Sequence, residues 1–147
     1  MEWKNKPIKG ADKIRILFVE DEKSIHEKVL PMLRELGFIS ITTALDGDSA
    51  YLTFAGKPND FELVITDFSM PGMDGVTLMQ KISRINPRQY FLILTSHVQS
   101  EQVKSIFFGN RHVFLVGKND IHTDRLVSLQ RTLELICVHI HNSQSER

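Results

Sequence analysis

Five short runs of Val, Ile, Leu and Phe alternate along this chain with longer segments of helical spacing, and each run stops at polar residues. Ile14-Arg15-Ile16-Leu17-Phe18-Val19 leads into Glu20-Asp21. Lys23 to Leu36 then reads as a helix closed by Gly37, with Pro31 inside it, where it should bend. Ile39 to Leu45 reads as a second strand and Asp48 to Ala55 as a short helix. Glu62 to Thr66 is a third strand running into Asp67, and Val76 to Ile85 is a helix ended by Asn86-Pro87. Phe91 to Leu94 makes a fourth strand, and Ser100 to Phe108 a helix stopped by Gly109-Asn110. Val113 to Val116 makes a fifth strand, before a long helix from about His122. Strands that are apolar throughout are buried on both faces, which requires a parallel sheet covered by helices on each side. The fold class is therefore α/β, doubly wound, and chemistry in such sheets gathers beyond the carboxyl ends of the strands.

A chain of 147 residues suits one domain, and 41% apolar residues suffice for one core. No apolar run is long enough to cross a bilayer. Met1-Glu2-Trp3-Lys4 opens no apolar signal region, so the expectation is a cytoplasmic protein with no membrane partner. The single cysteine, Cys137, permits no intrachain disulfide. Lys plus Arg balance Asp plus Glu at 18 each, so no basic field draws the chain directly onto nucleic acid. Lys4, Lys6, Lys9 and Lys13 read as the charges of a solvated tail.

The strand ends carry Glu20-Asp21, Asp67, Thr95-Ser96 and Gly117-Lys118. Side by side, these strands would gather three carboxylates, a hydroxyl and an ammonium. Three close carboxylates repel unless something offsets their charge, and a hard divalent cation such as Mg²⁺, which prefers oxygen ligands, does so. Thr95 and Lys118 then suit an anion that joins the metal. A phosphoryl group fits, and an aspartate carboxylate is a competent nucleophile for it. Taken singly, each residue has a plainer explanation as a cap, a loop charge or a strand-end hydroxyl. The functional reading rests on their falling together at the strand ends of one sheet.

Four motifs give the chain its resemblance to the receiver domain of two-component response regulators, the CheY-like superfamily. They are Ile-Leu-Phe-Val-Glu-Asp-Glu at 16–22, Thr-Ala-Leu-Asp-Gly-Asp-Ser-Ala at 43–50, Leu-Val-Ile-Thr-Asp-Phe-Ser-Met-Pro-Gly-Met-Asp-Gly at 63–75, and Ile-Leu-Thr-Ser at 93–96. The resemblance runs from about Ile14 to about Leu135. It implies a flexible tail over 1–12, a receiver over 13–135, and an extension of the last helix over 136–147. It also implies a flavodoxin-like (βα)5 sheet in the order 2-1-3-4-5. By the same resemblance Asp67 is the phosphoryl acceptor. Asp21 and Asp67 bind Mg²⁺ (or Mn²⁺) with the backbone carbonyl of Ser69, and Glu20 helps through water. Thr95 and Lys118 meet the phosphoryl oxygens, and Thr95 turns inward as a switch. The donor would be a sensor histidine kinase or phosphotransfer protein. The chain would be no enzyme beyond its own phosphorylation and dephosphorylation, and it would switch partners or an output domain outside this sequence.

Two positions depart from the family. Asn119 follows Lys118 where the family usually has proline, and the usual strand-five aromatic is Leu115, with Phe114 one residue earlier. A bulge at Gly117 would bring Phe114 into register as the second switch residue. Ser69 and His97 flank the site and are expected to tune the phosphoryl lifetime. Leu126, Leu129, Leu133, Ile136 and Ile140 recur at heptad spacing, so beyond Leu133 the last helix is expected to self-pair as a homodimer or to lead into an output domain. These departures favour, as the alternative, a pseudo-receiver that binds partners without phosphorylation. The five intact site residues oppose it. A phosphohydrolase with an aspartate nucleophile would commonly need a second carboxylate where Ser69 stands, and a flavin phosphate would be repelled by Glu20-Asp21.

Overall fold

The computed structural model describes residues 6–96, 101, 112–118 and 127–145. Five strands form one parallel sheet: β1 (Arg15–Val19), β2 (Ser40–Ala44), β3 (Leu63–Asp67), β4 (Tyr90–Thr95) and β5 (Val113–Gly117). Their order is β2-β1-β3-β4-β5, the order the family resemblance implies. Helices α1 (Lys23–Glu35), α2 (Gly47–Gly56), α3 (Gly75–Ile85) and α4 (Val127–Ser145) cover it. The expected helix from Ser100 to Phe108 apart from Glu101, together with His97, Asn119, Leu126 and the start of the last helix near His122, lies outside the described residues.

The period-two alternation of the strands divides the core into two layers. Ile16, Phe18, Leu63, Ile65, Leu92, Leu94 and Val116 face α1 and α4. Leu17, Val19, Val64, Phe91, Ile93 and Val113 face α2 and α3. β3, at the centre, is buried along its whole length. β2 is an edge, which explains its Ser and Thr content. Ile39 and Leu45, expected inside that strand, lie just outside it and are 77% and 65% exposed.

Local signals set the helix ends. Asp46 and Asp74 cap α2 and α3, accepting hydrogen bonds from the N–H groups of Ser49 (2.7 Å) and Thr77 (2.8 Å). Gly37, at φ 99°, closes α1: its N–H donates to the Arg34 carbonyl and the Phe38 N–H to the Leu33 carbonyl, the paired bonds of a Schellman motif. α1 runs on through Pro31, which faces solvent.

Both ends of the domain reach further than the sequence suggested. The Ile8 N–H donates to the Leu36 carbonyl (2.8 Å), and a 3₁₀ turn over Ala11–Lys13 buries Ala11 completely, so residues 8–12 belong to the packed unit. Ile136, Cys137 and Ile140 likewise lie in the core. The heptad seam therefore does not present itself to a second copy, because Leu129, Leu133, Ile136 and Ile140 are used against the sheet. Leu135 and Val138 are the large apolar residues that the described part of this helix turns to solvent.

Candidate functional site: an acidic pocket with a buried lysine

The carboxyl edge of the sheet assembles the side chains that the strand ends suggested. Glu20 and Asp21 follow β1, Asp67 ends β3, and Lys118 follows β5, where Gly117 pairs with Thr95 of β4. Glu20, Asp67, Thr95 and Lys118 are all buried, whereas Asp21 and Glu22 are exposed. The Lys118 ammonium donates to Asp67 Oδ2 at 2.8 Å and lies 3.4 Å from Glu20 Oε1 and from Glu22 Oε1. Asp67 Oδ1 accepts from the Ser69 N–H at 3.3 Å, and Glu20 Oε1 from the Glu22 N–H at 3.1 Å.

The backbone beneath Asp67 is tightly held. The Thr66 hydroxyl donates to the Asp67 carbonyl at 3.1 Å, and the Gly75 N–H donates to the Phe68 carbonyl at 3.0 Å. A Cβ at Gly75 would press on the Asp67 carbonyl oxygen and lie 3.0 Å from its carbon, so only glycine lets α3 begin this close to the end of β3.

Among the described residues, four carboxylates face one ammonium here. Glu20, Asp21, Glu22 and Asp67 each bring an oxygen within 4.8 Å of the others. Burial, reinforced by the charge of Asp67, pushes Glu20 up to about 8. Burial also raises Asp67, against the opposing pull of the Lys118 hydrogen bond and charge and of the Ser69 N–H. For Lys118, burial works downward, but the Asp67 hydrogen bond and the charges of Asp67, Glu20 and Glu22 outweigh it, and the net shift is upward. Among the described residues, Glu20 Oε2 is buried with no hydrogen-bond partner. An orphaned carboxylate oxygen in an all-oxygen cluster with excess negative charge fits a hard divalent cation.

Phe114 does not join this site. β5 pairs with β4 in regular register from Val113 to Gly117, without the bulge that would have re-aimed it. Its ring packs on the α1–α4 side, edge-on to His139 at 5.7 Å, while Leu115 packs on the α2–α3 side. The strand-five position at which the family resemblance places an aromatic is thus filled by Leu115. Ser69 is exposed beside Asp67.

Two participants escaped the sequence reading. Glu22 could have been found as the third acid of an unbroken acidic run. His26 was legible as a polar residue on the apolar stripe of α1, among Ile25, Val29, Met32 and Leu33. Its Nε2 lies 2.6 Å from the Glu20 carbonyl oxygen.

A doubly wound sheet in this order, with an acid cluster and a reaching lysine at its carboxyl edge, defines a receiver-type signalling domain. Residues 16–127 match the family model of the response regulator receiver domain, and the chain belongs to that family, as a CheY-like receiver domain of two-component signalling. Among curated relatives, it is 38% identical over 89 residues to a probable chemotaxis protein CheY of Rhizobium etli, covering 58% of this chain and 67% of that protein. It is 34% identical over 92 residues to chemotaxis protein CheY-3 of Vibrio cholerae, covering 61% and 69%. It is 32% identical to the transcriptional regulatory protein YesN of Bacillus subtilis over 72% of this chain, but spans only 29% of that longer protein. Among solved structures, the fold matches a two-component transcriptional regulator of Clostridium phytofermentans (TM-score 0.74, 24% identity, 89% of this chain and 98% of that one). It also matches a receiver domain of Clostridium thermocellum (0.72, 21%, 90% and 97%). No helix among the described residues is long and apolar enough to cross a membrane.

Proposed function

We propose that this receiver accepts a phosphoryl group on Asp67 from the phosphohistidine of a sensor kinase or phosphotransfer protein. An Asp67 carboxylate oxygen attacks phosphorus, the P–N bond breaks, and its electron pair leaves on the histidine nitrogen, which takes a proton. The product is an acyl phosphate. Mg²⁺ (or Mn²⁺), held by Asp21, Asp67 and the Ser69 carbonyl with Glu20 alongside, would neutralise charge on the transferring oxygens. Lys118, already a donor to Asp67, shifts its hydrogen bond to the phosphoryl group, and Thr95 supplies the hydroxyl that turns toward it. The exchange biases the receiver between two pre-existing states and so changes its affinity for a partner or an output domain. Its chemistry ends with its own phosphorylation and dephosphorylation. Ser69 and His97 tune how readily water reaches the acyl phosphate.

The observation that carries this reading is the buried Lys118 ammonium 2.8 Å from Asp67 Oδ2, beside Glu20 Oε2, which has no partner among the described residues. It supports the phosphorylatable receiver over the pseudo-receiver, since the substitution of Asn119 for proline leaves the lysine within reach of the acceptor. The deciding experiment is intact-protein mass after incubation with acetyl phosphate and Mg²⁺, beside Asp67→Asn. An adduct requiring both the metal and Asp67 is the expected result. A folded, Mg²⁺-loaded protein that gains no mass from acetyl phosphate or from phosphohistidine donors would favour the phosphorylation-independent module.

A further inference from the structure

We infer that His26 is a positioning residue for the metal-binding carboxylates, a role it exercises through the backbone of Glu20. The inference rests on the receiver chemistry proposed above.

Glu20 is the first residue past the end of β1, where the sheet no longer fixes the chain. Its N–H still donates to the Ala44 carbonyl at 3.1 Å, but its carbonyl has left the ladder. His26 Nε2, from the first turns of α1, meets that carbonyl oxygen at 2.6 Å. A carbonyl oxygen only accepts, so Nε2 carries the proton. The imidazole is itself immobilised: it is 9% exposed and its ring packs on Phe18 with centroids 4.8 Å apart. Both backbone polar groups of Glu20 are therefore clamped, one by β2 and one by α1.

The side chain follows from the clamp. Glu20 Oε1 is engaged by the Glu22 N–H and faces the Lys118 ammonium, which leaves Oε2 as the buried oxygen without a partner among the described residues. A peptide group free to rotate at Glu20 would swing the Asp21 carboxylate as well, because the two residues share that peptide bond. His26 thus does for the β1–α1 loop what outer-shell partners do for ligating side chains: it fixes orientation without touching the ion.

The test separates donor from packing. His26→Phe and His26→Met keep bulk against Phe18 and remove the N–H, whereas His26→Gln places an amide donor at similar reach. Mg²⁺ affinity is measured by isothermal titration calorimetry without any phosphoryl donor, with melting temperature as the check on folding. Outer-shell losses commonly weaken metal binding by about 10–100-fold. We expect roughly tenfold weaker binding in the donor-free variants and recovery to within about threefold in His26→Gln, the difference one hydrogen bond makes. Wild-type affinity in a folded His26→Phe or His26→Met protein would overturn the inference, as would a loss that His26→Gln fails to recover. If the wild type itself bound no Mg²⁺, the receiver reading would fall first and this inference with it.

Discussion

Adding one methyl group at Gly75 should separate backbone geometry from helix propensity. Gly75 opens α3, and a Cβ there would collide with the Asp67 carbonyl oxygen and approach Phe68 Cα to 3.2 Å. Those atoms are backbone of Asp67 and Phe68, already held by the Thr66 hydroxyl and by the Gly75 N–H bond to Phe68, so no rotamer change relieves the contact. Alanine would gain up to about 1 kcal/mol from helix propensity and a less flexible unfolded chain. Overpacking a rigid site costs about 1–3 kcal/mol, and an immovable neighbour places this one at the upper end. The balance for Gly75→Ala is a loss of about 1–2 kcal/mol, or roughly 3–8 °C in melting temperature for a chain of this size. Gly56 is the control: it closes α2, lies outside the left-handed region, and a Cβ there meets nothing within 4 Å. Gly56→Ala should stabilise by about 0.4–1 kcal/mol. Thermal denaturation of both variants gives opposite signs if the reasoning holds. Gly75→Ala should also take phosphoryl from acetyl phosphate more slowly, by up to about a hundredfold if the acceptor moves by an ångström. A Gly75→Ala protein as stable as Gly56→Ala would refute the account of this close approach.

Three further outcomes follow from the same geometry. Glu20 titrates near 8 in the metal-free fold against an ordinary 4.5, so its stabilising proton is fully present below pH 4.5 and lost as pH rises through 8. Melts in EDTA should show stability falling across that window by up to about 1.4 kcal/mol per pH unit, with Mg²⁺ restoring it at the alkaline end; a rising curve would contradict the site's electrostatics. Removing the ammonium in Lys118→Gln should tighten Mg²⁺ binding by titration calorimetry, since the cation no longer competes at Asp67, while slowing phosphoryl uptake by about 10²–10³-fold. Weaker metal binding would show that Lys118 organises the acids instead of opposing the ion. Ile140→Ala should cost about 2–5 kcal/mol in chemical denaturation and Leu135→Ala well under 1, because Ile140 is 3% exposed and Leu135 56%; equal small losses would return the helix extension to solvent.

What the sequence made legible and what it hid divide along a physical line. A parallel strand buried on both faces is apolar throughout, so its end is marked by the first polar residue. That is why Glu20, Asp67, Thr95 and Lys118 could be placed at one edge before any fold was seen. Continuous apolarity has a cost in information, however: it shows where a strand lies and leaves open which side of the sheet each residue faces. Phe114 and Leu115 read alike in such a run, and only the register with Leu92 and Ile93 sends them to opposite layers. The seam of the last helix hid its destination for the same reason, since Leu129, Leu133, Ile136 and Ile140 at heptad spacing suit a sheet as well as a second helix.

The same line explains why His26 was overlooked and why it matters. Sequence reasoning searches for side chains that meet a ligand, and His26 meets a backbone oxygen. Backbone atoms have no sequence identity, so contacts to them leave no spacing or charge pattern to find. Their trace is a polar residue where the helical period demands an apolar one, as His26 stands among Ile25, Val29, Met32 and Leu33. Burying an imidazole there without a partner would be costly, so its presence on that stripe implies an acceptor beneath it. In this fold the strand end under α1 is the start of the acidic loop, and the acceptor is therefore a backbone carbonyl of the proposed metal site.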